Sequence, residues 1–306
     1  MVKRMRTLLL SFVAAGLMII SPAVSAQSAK PADVLLVVDT VREELKLMFK
    51  ASLSTPPTVQ RLDLNPKRPR HVYQKAREVF LKVQVLRRLN GLKETRLPAA
   101  PTSEVTPANV RDLVYASRDG LKELYPLYWI PETEVSASKK NNASPTDVYQ
   151  GLHGLSQLVD ALGIPPIVPN DVFRIAQVIE QDMGKLYEAR MGQAYSGSLP
   201  EPARGKSPKD VYDAEMALLA DLKAFTESAE NAAIPAGISI PPQFEGRITP
   251  GRVLEIGNSV LAEIGSLKVL ASADMRQELP APPAGRTPSN VFDRITAAHQ
   301  ILRALK

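Results

Sequence analysis

Eight prolines, each followed three residues later by a valine, cut this chain into helix-length segments. The motifs read KPADV from Lys30, RPRHV from Arg68, TPANV from Thr106 and SPTDV from Ser144. They continue as VPNDV from Val168, SPKDV from Ser207, TPGRV from Thr249 and TPSNV from Thr287. This is the chemistry of a helix start. A Ser or Thr before the proline accepts a hydrogen bond from an otherwise unpaired backbone N–H. Proline at the first helical position has no N–H to leave unsatisfied, and its φ is already helical. An Asp or Asn at the third position (Asp33, Asn109, Asp147, Asp171, Asp210, Asn290) reaches back toward the cap and faces the positive end of the helix dipole. Lys30 and Val168 are poor caps, and His71 and Arg252 replace the acid.

Apolar residues follow each start at helical spacing, for example Val34, Val38, Val41, Leu45 and Met48 in the first segment and Val253, Ile256, Val260, Ile264 and Leu267 in the seventh. No stretch alternates with a strand period, so the class is all-α, with eight helices. Pro31, Pro69, Pro107 and Pro145 are 38 residues apart; Pro169 follows after 24, and Pro208, Pro250 and Pro288 come at 39, 42 and 38. A duplicated block explains this rhythm: two tandem four-helix units over 27–163 and 164–306, joined by long proline-rich connectors. An α-solenoid is the alternative. The connectors are long enough to run back along a helix and leave neighbours parallel, or to wrap the end of an antiparallel bundle. The expectation is two up-and-down-like bundles. Only the link GIPPIV, from Gly163 to Val168, is short enough to favour an antiparallel turn.

The first 26 residues read as an export signal: Lys3, Arg4 and Arg6 precede the apolar stretch Leu8 to Ile20, and Val24 and Ala26 occupy the small-residue positions before a cleavage site. The mature chain is then expected in the periplasm or outside the cell, with no transmembrane segment after cleavage. It has no cysteine, which rules out disulfides, thiol nucleophiles and cysteine-ligated metal. Of the formal charge of +6, three charges belong to the signal, leaving a weak case for nucleic acid; none is expected as a partner.

Catalytic patterns are sparse. His71, His153 and His299 form no metal-binding motif, and there is no glycine-rich phosphate loop or nucleophile elbow. No cofactor, metal ligand or catalytic residue is assigned. His71 at a helix start reads as a capping or solvated residue; His153 and His299 lie on comparable faces of their helices and read as unrelated, half-exposed histidines. One charge asymmetry stands out: between Arg61 and Arg96 there are eleven Lys or Arg against three acids. The second helix is therefore expected to carry a positive outer face, including Arg70, Lys75, Arg77, Lys82, Arg87 and Arg88, either solvated and balanced by acids on its neighbours or facing an envelope protein or anionic envelope component. The cluster ending in Tyr128 and Trp129 is the other candidate surface, with closure of the bundle end as its plainer duty. The leading expectation is an exported, non-catalytic binding or scaffold protein. The alternatives are a periplasmic small-ligand binder or sensor component and, behind it, a hydrolase of cell-wall polymers.

Overall fold

The computed structural model describes residues 29–198, 200–228, 237–281 and 283–306. The signal assigned to residues 1–26 lies outside them. The described residues form eight α-helices and no strand: α1 Pro31–Ala51, α2 Pro69–Leu89, α3 Pro107–Lys122, α4 Pro145–Asp160, α5 Pro169–Met191, α6 Pro208–Glu227, α7 Pro250–Leu270 and α8 Pro288–Arg303. A short 3-10 turn, Tyr125–Tyr128, extends α3. No helix among the described residues is long and apolar enough to cross a membrane.

Every helix starts at its proline, and the caps work as the residue types require. Thr106, Ser144, Ser207 and Thr249 accept from the backbone N–H three residues on. In return, Asn109, Asp147 and Asp210 accept from the cap's own N–H at 2.7–2.9 Å. At Lys30, Arg68 and Val168, whose side chains offer no acceptor, only the second half of the exchange forms. There Asp33, His71 and Asp171 accept the N–H at 2.8, 3.1 and 3.0 Å.

The helices pack as two sets of four with the same pattern of neighbours. In the first, α1 and α2 each pack against both α3 and α4; in the second, α5 and α6 each pack against both α7 and α8. Val38, Val41, Leu45, Met48, Val83, Leu121 and Leu152 lie at the heart of one core, and Ile179, Met183, Leu186, Leu222, Val260, Ile264 and Ile295 at the heart of the other. Ile164 packs on the first core and Ile167 on the second, so the short link is anchored at both ends.

The up-and-down expectation is overturned. Pro31, Pro69, Pro107 and Pro145, with Val34, Val72, Val110 and Val148, meet around one small apolar recess, so all four helices of the first bundle begin at the same end. Pro169, Pro208, Pro250 and Pro288 do the same with their valines. Both bundles are parallel, and each connector must travel the length of a helix to start the next. The connectors do so against side chains that take up their backbone N–H groups: Leu62 donates to Gln150, Lys67 to Thr146, and in the second bundle Ala203 donates to Asp293 and Lys206 to Ser289. Between bundles the direction reverses. Arg70, near the start of α2, meets Glu263 late in α7, while Glu78 meets Asn258 further back. The short α4–α5 link makes the one antiparallel turn, as its length suggests.

In a parallel bundle, spin labels on Lys30→Cys and Ser144→Cys sit at one end of the adjacent helices α1 and α4, about 10 Å apart between axes. An up-and-down bundle would put them about 30 Å apart, the length of the helix. Pulsed electron resonance on this naturally cysteine-free chain is expected to return the short distance; the long one would overturn the parallel arrangement.

Candidate functional site

The expected positive outer face of α2 does not form. Arg70, Lys75, Arg77, Lys82 and Arg87 are all buried. The physical reason is position: α2 is flanked by α3 and α4 of its own bundle and packs against α7 of the other, so its cations meet acids and carbonyls instead of water. Arg70 Nε and His71 Nε2 grip the two oxygens of Glu263 at 3.0 and 2.7 Å, and the Ser239 N–H adds a third bond at 2.9 Å. Lys75 pairs with Glu78 at 2.9 Å. Lys82 binds Ser156 and Asp160 on α4 at 2.7 and 2.6 Å. Arg77 donates to Gln277, which in turn donates to Asp182, the partner of the buried Lys268 at 2.6 Å. Arg87 donates to the Gly120 carbonyl and to Glu123. Arg88 alone of the six is exposed, paired with Glu94. Tyr128 is half-buried against the first core, whereas its neighbour Trp129 is 92 % exposed.

The electrostatics follow from this burial. Burial by itself would raise the Glu263 carboxyl, but the His71 bond and the His71 and Arg70 charges outweigh it, and the group lies below its ordinary value. Burial likewise works against the charged form of Glu78, yet Lys75 and Lys82 bring it down to about 2. His71 lies below its ordinary value, first through burial. Its hydrogen bonds agree, because Nδ1 must stay unprotonated to accept the Arg68 N–H while Nε2–H donates to Glu263. His71 is thus both cap and buried link between the bundles. His153, half-buried, is lowered to about 4, first through desolvation and then by the Lys75 charge. His299, also half-buried, is lowered by desolvation and lies near Asp221 on α6.

An open recess lies elsewhere. A groove of about 610 Å³ runs between α5 and α8, lined by Gln177, Glu180, Gly184, Lys185, Tyr195 and Arg294 among others. Arg294 pairs with Glu180 across it at 2.8 Å, and Tyr195 stands edge-on to Tyr187 with ring centres 5.3 Å apart. In the first bundle the corresponding strip is closed. Gly151 sits so near α1 that a Cβ there would lie 2.8 Å from Val38, and Val59 of the connector covers Gly154. The same register in the second bundle holds Arg294 and Ala297. Nothing in the sequence pattern marked this groove; the change from two glycines to Arg294 and Ala297 is the signal that was there to read.

A second buried group also escaped notice. Glu215 on α6 is fully buried, neither carboxylate oxygen has a hydrogen-bond partner, and burial raises it well above the ordinary carboxyl value. It occupies the core slot between Val211 and Leu218, with Gly257 leaving room for it on α7.

Two pH effects of opposite sign follow. All three histidines lie below their ordinary value, so their contribution to stability is complete above about pH 6.5 and is lost as the pH falls toward the folded value of about 4 at His153. The melting temperature is expected to drop across that window, with a smaller drop for His153→Gln; a flat profile from pH 7 to 5 would contradict the burial of these rings. The raised Glu215 behaves the other way, its contribution being present below about pH 4.3 and lost as the pH rises through its folded value. Glu215→Leu is expected to be about 1–3 kcal/mol more stable than the parent at pH 8 in urea unfolding; a variant no more stable would show that this carboxyl is not isolated. Compared with protein-family models, curated proteins and solved structures, the chain matches none.

Proposed function

We propose that this is an exported periplasmic or secreted protein that acts by binding, as a scaffold for another envelope component, and that its recognition site is the groove between α5 and α8. The observation that carries the reading is the combination of an open, charged groove with a body held in one orientation. Buried ion pairs between α2 and α7 are a weak source of stability compared with apolar packing, but they demand one geometry. A rigid presenter of a fixed surface benefits from that demand. The two bundles read as copies of one ancestral four-helix unit, supported by their shared neighbour pattern, their proline–valine layers and the paired connector bonds at Lys67 and Lys206. On this reading the second copy kept its groove open while the first closed it.

One observation favours a second reading, a small-ligand binder or sensor component: the groove volume of about 610 Å³ falls within the common range for small-molecule sites.

Gly184 offers a clean test, because a side chain added there meets nothing within 4 Å and projects from a helix that gains propensity by losing glycine. Gly184→Phe should fill the groove and leave the fold intact. Mature protein used as bait on envelope extract is expected to retain a specific partner that the variant does not. In parallel, a thermal-shift screen of polar metabolites would give a rise in Tm, lost in the variant, if the small-ligand reading holds. Retention by parent and variant alike would remove the groove from either role.

A further inference from the structure

The helix ends opposite the proline layer show a different kind of irregularity. Because the first bundle is parallel, its C-termini gather at one end, and three of them close in the same way. Leu53, Gly91 and Trp129 each stand 22 residues past their helix's proline, and each adopts the left-handed conformation, with φ of 54°, 79° and 55°. The next residue then donates back to the carbonyl five positions earlier: Ser54 to Phe49, Leu92 to Arg87 and Ile130 to Tyr125, at 2.9–3.0 Å. Glycine is the residue this cap prefers, since it alone adopts the conformation without a Cβ penalty. On α2 the chain uses glycine. On α1 and α3 it uses leucine and tryptophan, which are 96 % and 92 % exposed.

Neither exposure nor strain helps the fold. Leu92 and Ile130, the residues after two of these caps, pack on the core, whereas Leu53 and Trp129 project away from it. Leu89 and Leu127, both 20 residues past their prolines, are also about half exposed at this end. Three lysines stand among them: Lys50 on the last turn of α1, Lys122 on the last turn of α3 and Lys93 just past α2. All three are exposed, and none forms an ion pair among the described residues. Arg87 and Arg88 are already engaged by Glu123 and Glu94. Asp119, three residues before Lys122, and Glu132 and Glu134, just past Trp129, are acids near these caps in sequence beyond those engaged by Arg87 and Arg88.

We infer that this end of the first bundle docks on an anionic phospholipid surface, with Leu53 and Trp129 entering the headgroup layer and Lys50, Lys93 and Lys122 meeting lipid phosphates. Separate apolar tips ringed by lysines suit a bilayer interface, where an indole and an aliphatic chain each bury individually while long basic side chains reach the headgroups. The site is independent of the α5–α8 groove, and its test does not depend on the groove reading.

Trp129 is the only tryptophan in the chain, so intrinsic fluorescence reports on this end alone. With vesicles of phosphatidylcholine and phosphatidylglycerol, the emission of the mature protein is expected to move to shorter wavelength. Leu53→Gly should weaken partitioning about tenfold or more by fluorescence titration, and Trp129→Gly should do the same by co-sedimentation. Lys50→Gln and Lys122→Gln should each weaken it about fivefold. Both glycine variants relieve the left-handed strain, so each is expected to keep its helix content and gain about 2 °C in Tm; loss of binding then cannot be loss of fold. No spectral change and no co-sedimentation would overturn the inference. So would parental binding by Leu53→Gly, or a blue shift that grows with protein concentration in the absence of lipid, which would assign the tips to a second copy of the chain.

Discussion

Everything in this structure is arranged around the decision to start four helices at the same end. Parallel helices set their dipoles side by side, an unfavourable alignment that exposes four sets of unpaired N–H groups in one place. The sequence answers at that end with four means at once. Proline removes a donor, the cap side chain or the third residue satisfies others, Asp33, Asp147, Asp171 and Asp210 oppose the positive ends, and the proline rings and valines close the layer as apolar surface. Basic residues in the last turns, such as Lys50, Arg87 and Arg88, Lys122 and Lys268, complement the other pole. The long connectors are the geometric consequence. A chain that must restart at the same end has to cover about 30 Å without a strand to pair with, and its backbone donors find side-chain acceptors on α4 and α8 instead.

The same constraint explains why the basic second helix is buried. With α1 placed across the bundle from it, α2 presents one flank to α3 and α4 and another to the second bundle. Its cations are spent on orientation. A contact of this kind is costly to desolvate, and removing one partner would strand the other at roughly 3–5 kcal/mol. Hence two of its carboxylates are multiply bonded: Glu263 accepts from Arg70, His71 and Ser239, and Glu78 is held by Lys75, Ser156 and Lys82.

The helix starts were legible because proline, cap and valine act locally, within one turn. The core was legible too: the apolar residues assigned by spacing in the first and seventh segments, from Val34 to Met48 and from Val253 to Leu267, are all buried. Direction was not legible, because a connector of this length can end at either pole and nothing local distinguishes the outcomes. The charges misled for a related reason. A run of cations on one helix looks the same whether it faces water or an acid 193 residues away, as Arg70 does with Glu263. Two clues were nonetheless present. The segment of α7 is apolar on nearly every face, the mark of a helix buried on several sides, and Glu215 falls in a core slot that the spacing reserves for an apolar residue.

The contact between the bundles is directional. It joins the second helix of one set to the third of the other, so it is not self-complementary, and a repeated contact of this type would build an open chain of units. Aligned on their prolines, the unused surfaces lack the charges of the joined ones. On α6, the positions of Arg70, His71, Lys75, Glu78 and Lys82 hold Lys209, Asp210, Ala214, Ala217 and Asp221; on α3, the position of Glu263 holds Gly120. Gly120 itself is buried against Val83 and Arg87, inside the first bundle. A third bundle approaching α6 would meet Asp210 and Asp221 where the real interface needs a histidine and a lysine, and one approaching α3 would find no carboxylate to receive its arginine. The charges that lock the pair are therefore written on one face of each bundle only, and the body they make has two ends with different chemistry: proline and valine at one pole of the first bundle, strained leucine and tryptophan at the other.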